Sequence, residues 1–151
     1  MIIASYESDA RKKIFFELRT RSGEYFNGTR LNLNGSIGFR YQPFGATSLD
    51  INYNNIKLPE PYNSANLFLI GPKFDFTFTD KLFWTTYVQY NSQIENLNIN
   101  SRLQWRFKPV SDIYLVYTDN YFAYNQEDGF IQLGEVKSRA LVFKITYWLN
   151  L

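Results

Sequence analysis

The chain has 151 residues, enough for one domain, and a formal charge of +2, too small to point to a nucleic-acid partner. It has no Cys and no His. That excludes a disulfide framework, a thiolate metal site and a Ser-His-Asp triad, and it removes the usual general base and transition-metal ligand. No apolar run approaches the roughly 20 residues of a membrane helix, and MIIASYESDARKK lacks the apolar core of a secretory signal.

Along the chain the apolar residues recur with a period of two, and Gly, Pro, Asn and Asp cut the pattern into strand-length segments. Residues 1–12 read as an extension on the periplasmic side and 13–151 as one β domain of about eight strands, counted on that alternation. The first predicted strand runs from about Lys13 to Arg21, with Ile14, Phe16 and Leu18 against Phe15, Glu17 and Arg19. The second, Arg30 to Gln42, sets Leu31, Leu33, Gly35, Ile37, Phe39 and Tyr41 against Asn32, Asn34, Ser36, Gly38, Arg40 and Gln42. Then come Leu49, Ile51 and Tyr53 opposing Asp50, Asn52 and Asn54, and ANLFLI continuing through Phe74, Phe76 and Phe78 against Lys73, Asp75 and Thr77, with Pro72 hinting at a bulge. The fifth alternates Trp84, Thr86, Val88 and Tyr90 with Thr85, Tyr87, Gln89 and Asn91. The sixth, LNINSRLQWRFK, has Leu97, Ile99, Leu103, Trp105 and Phe107 on one side and Asn98, Asn100, Arg102, Gln104, Arg106 and Lys108 on the other. IYLVY, from Ile113 to Tyr117, is the seventh, and LVFKITYWLNL, from Leu141 to Leu151, is the eighth.

Two architectures share this alternation. A soluble barrel hides its apolar face, whereas a membrane barrel turns it to lipid and keeps the polar face in the lumen. Long strands favour the membrane barrel, since soluble strands average five or six residues and tilted membrane strands need roughly 9 to 11. The connections also favour it: PFGA, TDK and PVSD are short, while SGEYFNGT, NNIKLPEPYNSAN and the run from about Asn120 to Lys137 are longer. Outer-membrane barrels pair short periplasmic turns with long outer loops, and on an eight-strand count this parity places both chain ends on the periplasmic side. Aromatic residues gather near strand ends, at Tyr25, Phe26, Tyr41, Phe44, Phe83, Trp84, Trp105, Phe107, Tyr121, Phe122, Tyr124, Tyr147 and Trp148, as interfacial girdles would. The fold expected is therefore an all-β, antiparallel up-and-down transmembrane β-barrel of about eight strands, or the last eight strands of a larger one.

On that reading Glu17, Arg19, Arg40, Asp50, Lys73, Asp75, Arg102, Arg106 and Lys144 are lumen charges, with basic residues in excess, so a conducting lumen would favour anions. An eight-stranded barrel is filled by its own side chains, so conduction requires a larger parent. Phe143, Ile145, Tyr147, Leu149 and Leu151 form an alternating terminal row that resembles the insertion signal of outer-membrane barrels, although many such signals end on Phe. Tyr121 to Val136 reads as an exposed loop able to touch a partner or sugar, or as a plain surface loop with a short strand extension.

NSRLQWRFKPVSDIYLVYTDN, followed by KSRALVFKITYWLNL, is similar to the C-terminal end of a group of uncharacterised Gram-negative outer-membrane proteins. In that family a signal peptide and a carbohydrate-binding-like module precede a long barrel. The resemblance implies an outer-membrane location, with the lipid bilayer, the barrel-insertion machinery and the rest of a larger barrel or other chains as partners. It supplies no catalytic residues and no cofactor. No enzyme is expected: Glu17, Asp50 and Asp75 are better explained as partners of lumen Arg and Lys than as catalytic acids. The alternative is a soluble eight-stranded barrel that binds a small apolar ligand in a cavity lined by Phe74, Phe76, Phe78, Trp84 and Trp105. Partitioning into detergent separates the two.

Overall fold

The structure, a computed structural model, describes residues 1–125 and 131–149. Among these residues there is no helix; nine strands lie in one sheet in sequence order. They are β1 (Ile2–Glu7), β2 (Ile14–Tyr25), β3 (Gly28–Tyr41), β4 (Gly45–Lys57), β5 (Ala65–Thr79), β6 (Leu82–Asn91), β7 (Asn96–Lys108), β8 (Ser111–Asn125) and β9 (Ile131–Thr146). Every neighbouring pair is antiparallel, from Ile2 beside Ser22 in the first to Asp112 beside Thr146 in the last. β1 and β9 are the two edges, so the sheet is an open meander rather than a closed barrel.

The ninth strand is β1. It lies in the segment read as an extension and runs back along β2, with Glu7 beside Glu17. That reverses the expected parity: the first residues stand level with Ser22, at the opposite end of the sheet from Thr146.

The strands are also longer than the alternation suggested, and this rewrites the connections. SGEYFNGT is mostly strand, and Phe26 and Asn27 alone join β2 to β3, Phe26 taking a positive φ of 51° in the tight turn. Residues 42–44, 80–81 and 109–110 make short turns at the other end, whereas 8–13, at that same end, is longer. The loop expected between Tyr121 and Val136 is largely consumed by β8 and β9, and its centre, 126–130, lies outside the described residues.

Local chemistry explains several of these reversals. Gly45, with φ 151°, follows the 42–44 turn where a Cβ would stand 2.0 Å from the Asp75 carbonyl oxygen, so only glycine fits. Pro59 and Pro61 occupy the 58–64 connection, where no ladder amide is needed. β9 stops at Thr146 because β8 begins at Ser111 and offers no further pairing; beyond it, the Trp148 amide donates to Ser111 Oγ at 3.1 Å.

Candidate functional site

Because antiparallel partners point to the same side, the registers sort the side chains into two rows that run across the whole sheet. One row carries Ile14, Phe16 and Leu18 on β2, then Leu31, Leu33, Ile37, Phe39 and Tyr41 on β3. It continues through Leu49, Ile51 and Tyr53, then Phe68, Ile70, Phe74 and Phe76. Trp84 and Val88, Ile99 and Leu103, Ile113 and Leu115, and finally Leu141, Phe143 and Ile145 complete it. The other row carries Arg30, Asn32, Asn34, Ser36 and Arg40, the β4 residues Asp50, Asn52 and Asn54, then Lys73 and Asp75, and Arg102, Gln104 and Arg106.

All nine charges named from the sequence stand on this polar row. Glu17 and Arg19 pair with Ser36 and Asn34, Arg40 with Ala46, Asp50 with Gly71, Lys73 with Tyr87 and Asp75 with Thr85. Arg102 lies beside Thr85, Arg106 beside Asp112 and Lys144 beside Tyr114. Three pairs form: Arg19 with Glu17, Lys73 with Asp75 at 3.0 Å, and Arg106 with Asp112 at 3.3 Å. The first two are i, i+2 neighbours on one strand, which the two-residue period places side by side. Arg40 instead lies over the Phe15 ring, 4.8 Å from its centre. Among the described residues, no ion pair reaches Asp50, Arg102 or Lys144.

Between the charges runs an amide ladder. Asn32 donates to Asn54 at 2.7 Å, Asn54 to Asn52 at 2.6 Å, Asn52 to Asn34, and Asn34 back to Asn32 at 2.6 Å, with Arg30 joining at Asn54. An amide both donates and accepts, so four of them close a ring of hydrogen bonds that no carboxylate set could close. Further along, Gln104 donates to Asp112 and Tyr114, Thr85 to Asp75, and Asn100 to Thr118. Two open hollows lie on this row near β1 to β4, of about 490 and 340 Å³, bordered by Glu17, Arg19 and Asn34.

Along β3 exposure separates the rows in the reverse of the usual order, whereas along β4 and β6 both rows are mostly half-buried and along β9 both are exposed. On β3 the apolar Leu31, Leu33, Ile37 and Phe39 are exposed, while Asn32, Asn34, Ser36 and Arg40 between them are only partly so and Gly38 is buried under the Phe15 ring. Ile37 is 51% exposed and Leu18 51%. Tyr90 and Ala123 are the buried hydrophobic residues among those described.

The aromatic residues expected to line an apolar cavity stand on this exposed row. Phe76 stacks on Trp84 with ring centres 5.4 Å apart, Phe78 on Phe76 at 6.2 Å, and Tyr41 meets Phe76 at 5.9 Å. Trp105, Phe107 and Tyr147 extend the band beside the 109–110 turn. The string lies at the end of the sheet that carries the 42–44, 80–81 and 109–110 turns. Phe83 and Tyr25, named with the girdles, instead fall in the polar row. Of the terminal row, Phe143 and Ile145 lie on β9, Tyr147 and Leu149 follow it, and Leu151 lies outside the described residues.

Polar atoms on the apolar row find one another. Trp84 Nε1 donates to Ser101 Oγ at 2.7 Å, Ser101 also meets Thr86, and Tyr41 meets Thr47. The largest such group was not anticipated. Asp119, only 1% exposed, follows Ile113, Leu115 and Tyr117 on the apolar row and faces Arg139 across the β8–β9 pair. Arg139 donates to Asp119 Oδ2 through Nε at 3.0 Å and through a terminal nitrogen at 2.8 Å; the Tyr117 and Tyr121 hydroxyls donate to the same oxygen. The charge on this row is matched by Arg139 and Oδ2 is shared among three donor side chains, which offsets its burial, while Oδ1 is buried with no partner among the described residues. The signal was in the sequence, since Asp119 and Arg139 both interrupt an apolar row in its own phase.

Neither a known protein family, nor a curated protein, nor a solved structure matches the chain. Among the described residues, no group of acidic side chains is placed to hold a metal ion.

Proposed function

We propose that the chain forms wall of a Gram-negative outer-membrane β-barrel, with the apolar row toward lipid and the polar row toward the interior. The observation that carries this reading is the inverted exposure: a chain with 45% hydrophobic residues buries almost none of them among the described residues and leaves Ile37, Phe39, Leu141 and Phe143 open. In water each such side chain left uncovered forgoes about 1.5–3 kcal/mol of burial. In a bilayer lipid covers that row, and the backbone stays paired from strand to strand.

The band from Tyr41 through Phe76 and Trp84 fits an interfacial girdle. The Trp84–Ser101 bond and the Asp119–Arg139 ion pair fit a lipid-facing surface, where a polar or charged group is least costly when it is partnered. On this reading the chain acts as a membrane anchor and, within a larger barrel, as one side of a passage for a small polar solute, with anions favoured by Arg40, Arg102, Arg106 and Lys144. The outer-membrane family similarity and a role for Phe143, Ile145, Tyr147, Leu149 and Leu151 in insertion belong to the same proposal. A soluble barrel would need the Phe76–Trp84 face turned inward.

The test is refolding with and without detergent. A compact, fast-migrating gel band that forms only in detergent and is lost on boiling is expected; a water-soluble monomer that folds without detergent contradicts the proposal.

A further inference from the structure

If the sheet is membrane wall, as proposed above, its two edges cannot stay open, because an unpaired strand edge has no water to bond in hydrocarbon. β9 is the more demanding edge: it runs from Ile131 to Thr146, contains no proline, and is exposed along nearly all of its length. β1 is short, covering β2 only from Glu17 to Ser22.

Strand direction limits what can join them. Each neighbouring pair from β1 to β9 is antiparallel, so eight reversals leave β1 and β9 running the same way. If the sheet closed on itself, β1 would lie beside β9 as a parallel pair. A ring of copies of this chain meets the same difficulty, because rotation about the barrel axis preserves strand direction and again sets one copy's β9 beside the next copy's β1 in parallel. Bacterial single-chain barrels are antiparallel throughout and even in strand number. Purely antiparallel sheets are favoured over mixed ones, and parallel pairing is the weaker of the two.

We infer that the wall is completed by an odd number of further strands between β9 and β1, supplied by neither β1 nor a second copy of the sheet. Their chemistry follows from the edges they meet. The strand beside β9 is antiparallel to it and carries apolar residues outward against Leu141, Phe143 and Ile145. On its inner row it places an acidic side chain within reach of Lys144, which lies beside Tyr114 and forms no ion pair among the described residues. The strand beside β1 faces Glu7, already set directly across from Glu17, and so presents a basic or amide side chain there.

The chain contains no cysteine, so disulfide scanning reads the seam without background. Ser5→Cys on β1 is combined in turn with Ser138→Cys, Val142→Cys and Thr146→Cys on β9, and Arg21→Cys on β2 is combined with the same three. Ser5→Cys with Arg19→Cys, which are direct partners, is the control. All are oxidised in the membrane of the cell that makes the protein. A disulfide needs Cα atoms within about 7 Å, which even one interposed strand prevents. The control bond is expected to form and none of the six β9 combinations to do so. A Ser5–β9 bond within one chain means closure through a parallel seam, and one between chains means a ring of copies; either overturns the inference. An Arg21–β9 bond overturns it too, by showing that β1 leaves the edge and β2 to β9 close as eight strands. Failure of the control removes β1 from the sheet and with it the parity on which the inference stands. Quenching of Trp84 and Trp105 by brominated lipid in the same membranes reports the lipid-facing row separately, so failure of the membrane reading is distinguishable.

Discussion

The two faces of the sheet use hydrogen bonds differently. On the polar row hydrogen bonds and ion pairs recur across the sheet: the Asn ladder joins β3 to β4, Lys73 pairs with Asp75 and Arg106 with Asp112, and several charges have no ion-pair partner among the described residues. On the outer row they are islands. Trp84 with Ser101, Tyr41 with Thr47, and Asp119 with Arg139 each close locally, surrounded by Leu, Ile and Phe. A face that water reaches tolerates an unpaired Arg102, whereas a face against lipid does not, and the contrast is what the proposed orientation requires.

The strongest way to break the contrast is to place a charge on the outer row. Ile37→Arg, four residues inside the Tyr41 end of β3, is expected to cost up to roughly 2–4 kcal/mol of stability in lipid, the depth-dependent penalty for a charge on a lipid face. Ser36→Arg, one residue along on the inner row, is expected to cost far less. Urea titration in lipid vesicles compares them, and equal losses would dissolve the distinction between faces. Next comes the island at Asp119. Asp119→Ala removes the counter-charge of Arg139, leaving it the Tyr121 hydroxyl at 3.0 Å, and is expected to lower the unfolding midpoint. The double variant Asp119→Ala/Arg139→Ala is expected to recover part of that loss, because removing both members of a pair strands neither. Additive losses would mean that the two residues do not act as a unit.

Packing on the inner row gives a smaller effect. Gly38 lies under Phe15, and a Cβ there would stand 2.1 Å from the ring, so Gly38→Leu is expected to cost about 1–3 kcal/mol by overpacking. Phe15→Ala in the same background relieves it. The turn at 109–110 offers a gain. Val110 has a φ of 58°, a region unfavourable to a β-branched side chain, and Val110→Gly is expected to stabilise by about 1 kcal/mol in the same titration. Smallest in stability, within about 0.5 kcal/mol, is charge reversal of the polar-row residues Arg102 and Lys144, which form no ion pair among the described residues. Its readout is selectivity: in planar bilayers the complete barrel is expected to lose anion preference, and unchanged selectivity would place these residues away from any passage.

Much of the two-row arrangement was legible because a period of two assigns faces without knowledge of the fold. Each of the nine charges named from the sequence shares one row. Three features were not legible, each for a physical reason. β1 is too short to display alternation, since IIASYE begins with two apolar residues in succession. The upper ends of β8 and β9 carry register shifts at Asn120, Tyr121 and Ala123, which break the period where the strands continue. Asp119 and Arg139 lie just beyond the strands predicted from Ile113 to Tyr117 and from Leu141 to Leu151, so the alternation was not followed far enough to give them a face. Closure is a further matter, because alternation gives faces but not strand number. The short ninth strand changed the parity on which the placement of both chain ends rested.

The central claim concerns which row meets lipid, and its most direct measurement uses side chains already present. Trp84 and Trp105 both stand on the apolar row. With Trp148 replaced by Phe, vesicles of lipids brominated at successive acyl positions are expected to quench the remaining tryptophan fluorescence strongly near the headgroup end of the chains, the depth of an interfacial girdle. Strong quenching by an aqueous quencher such as iodide, with none from brominated lipid, would contradict the orientation and turn the Phe76–Trp84 face away from the bilayer.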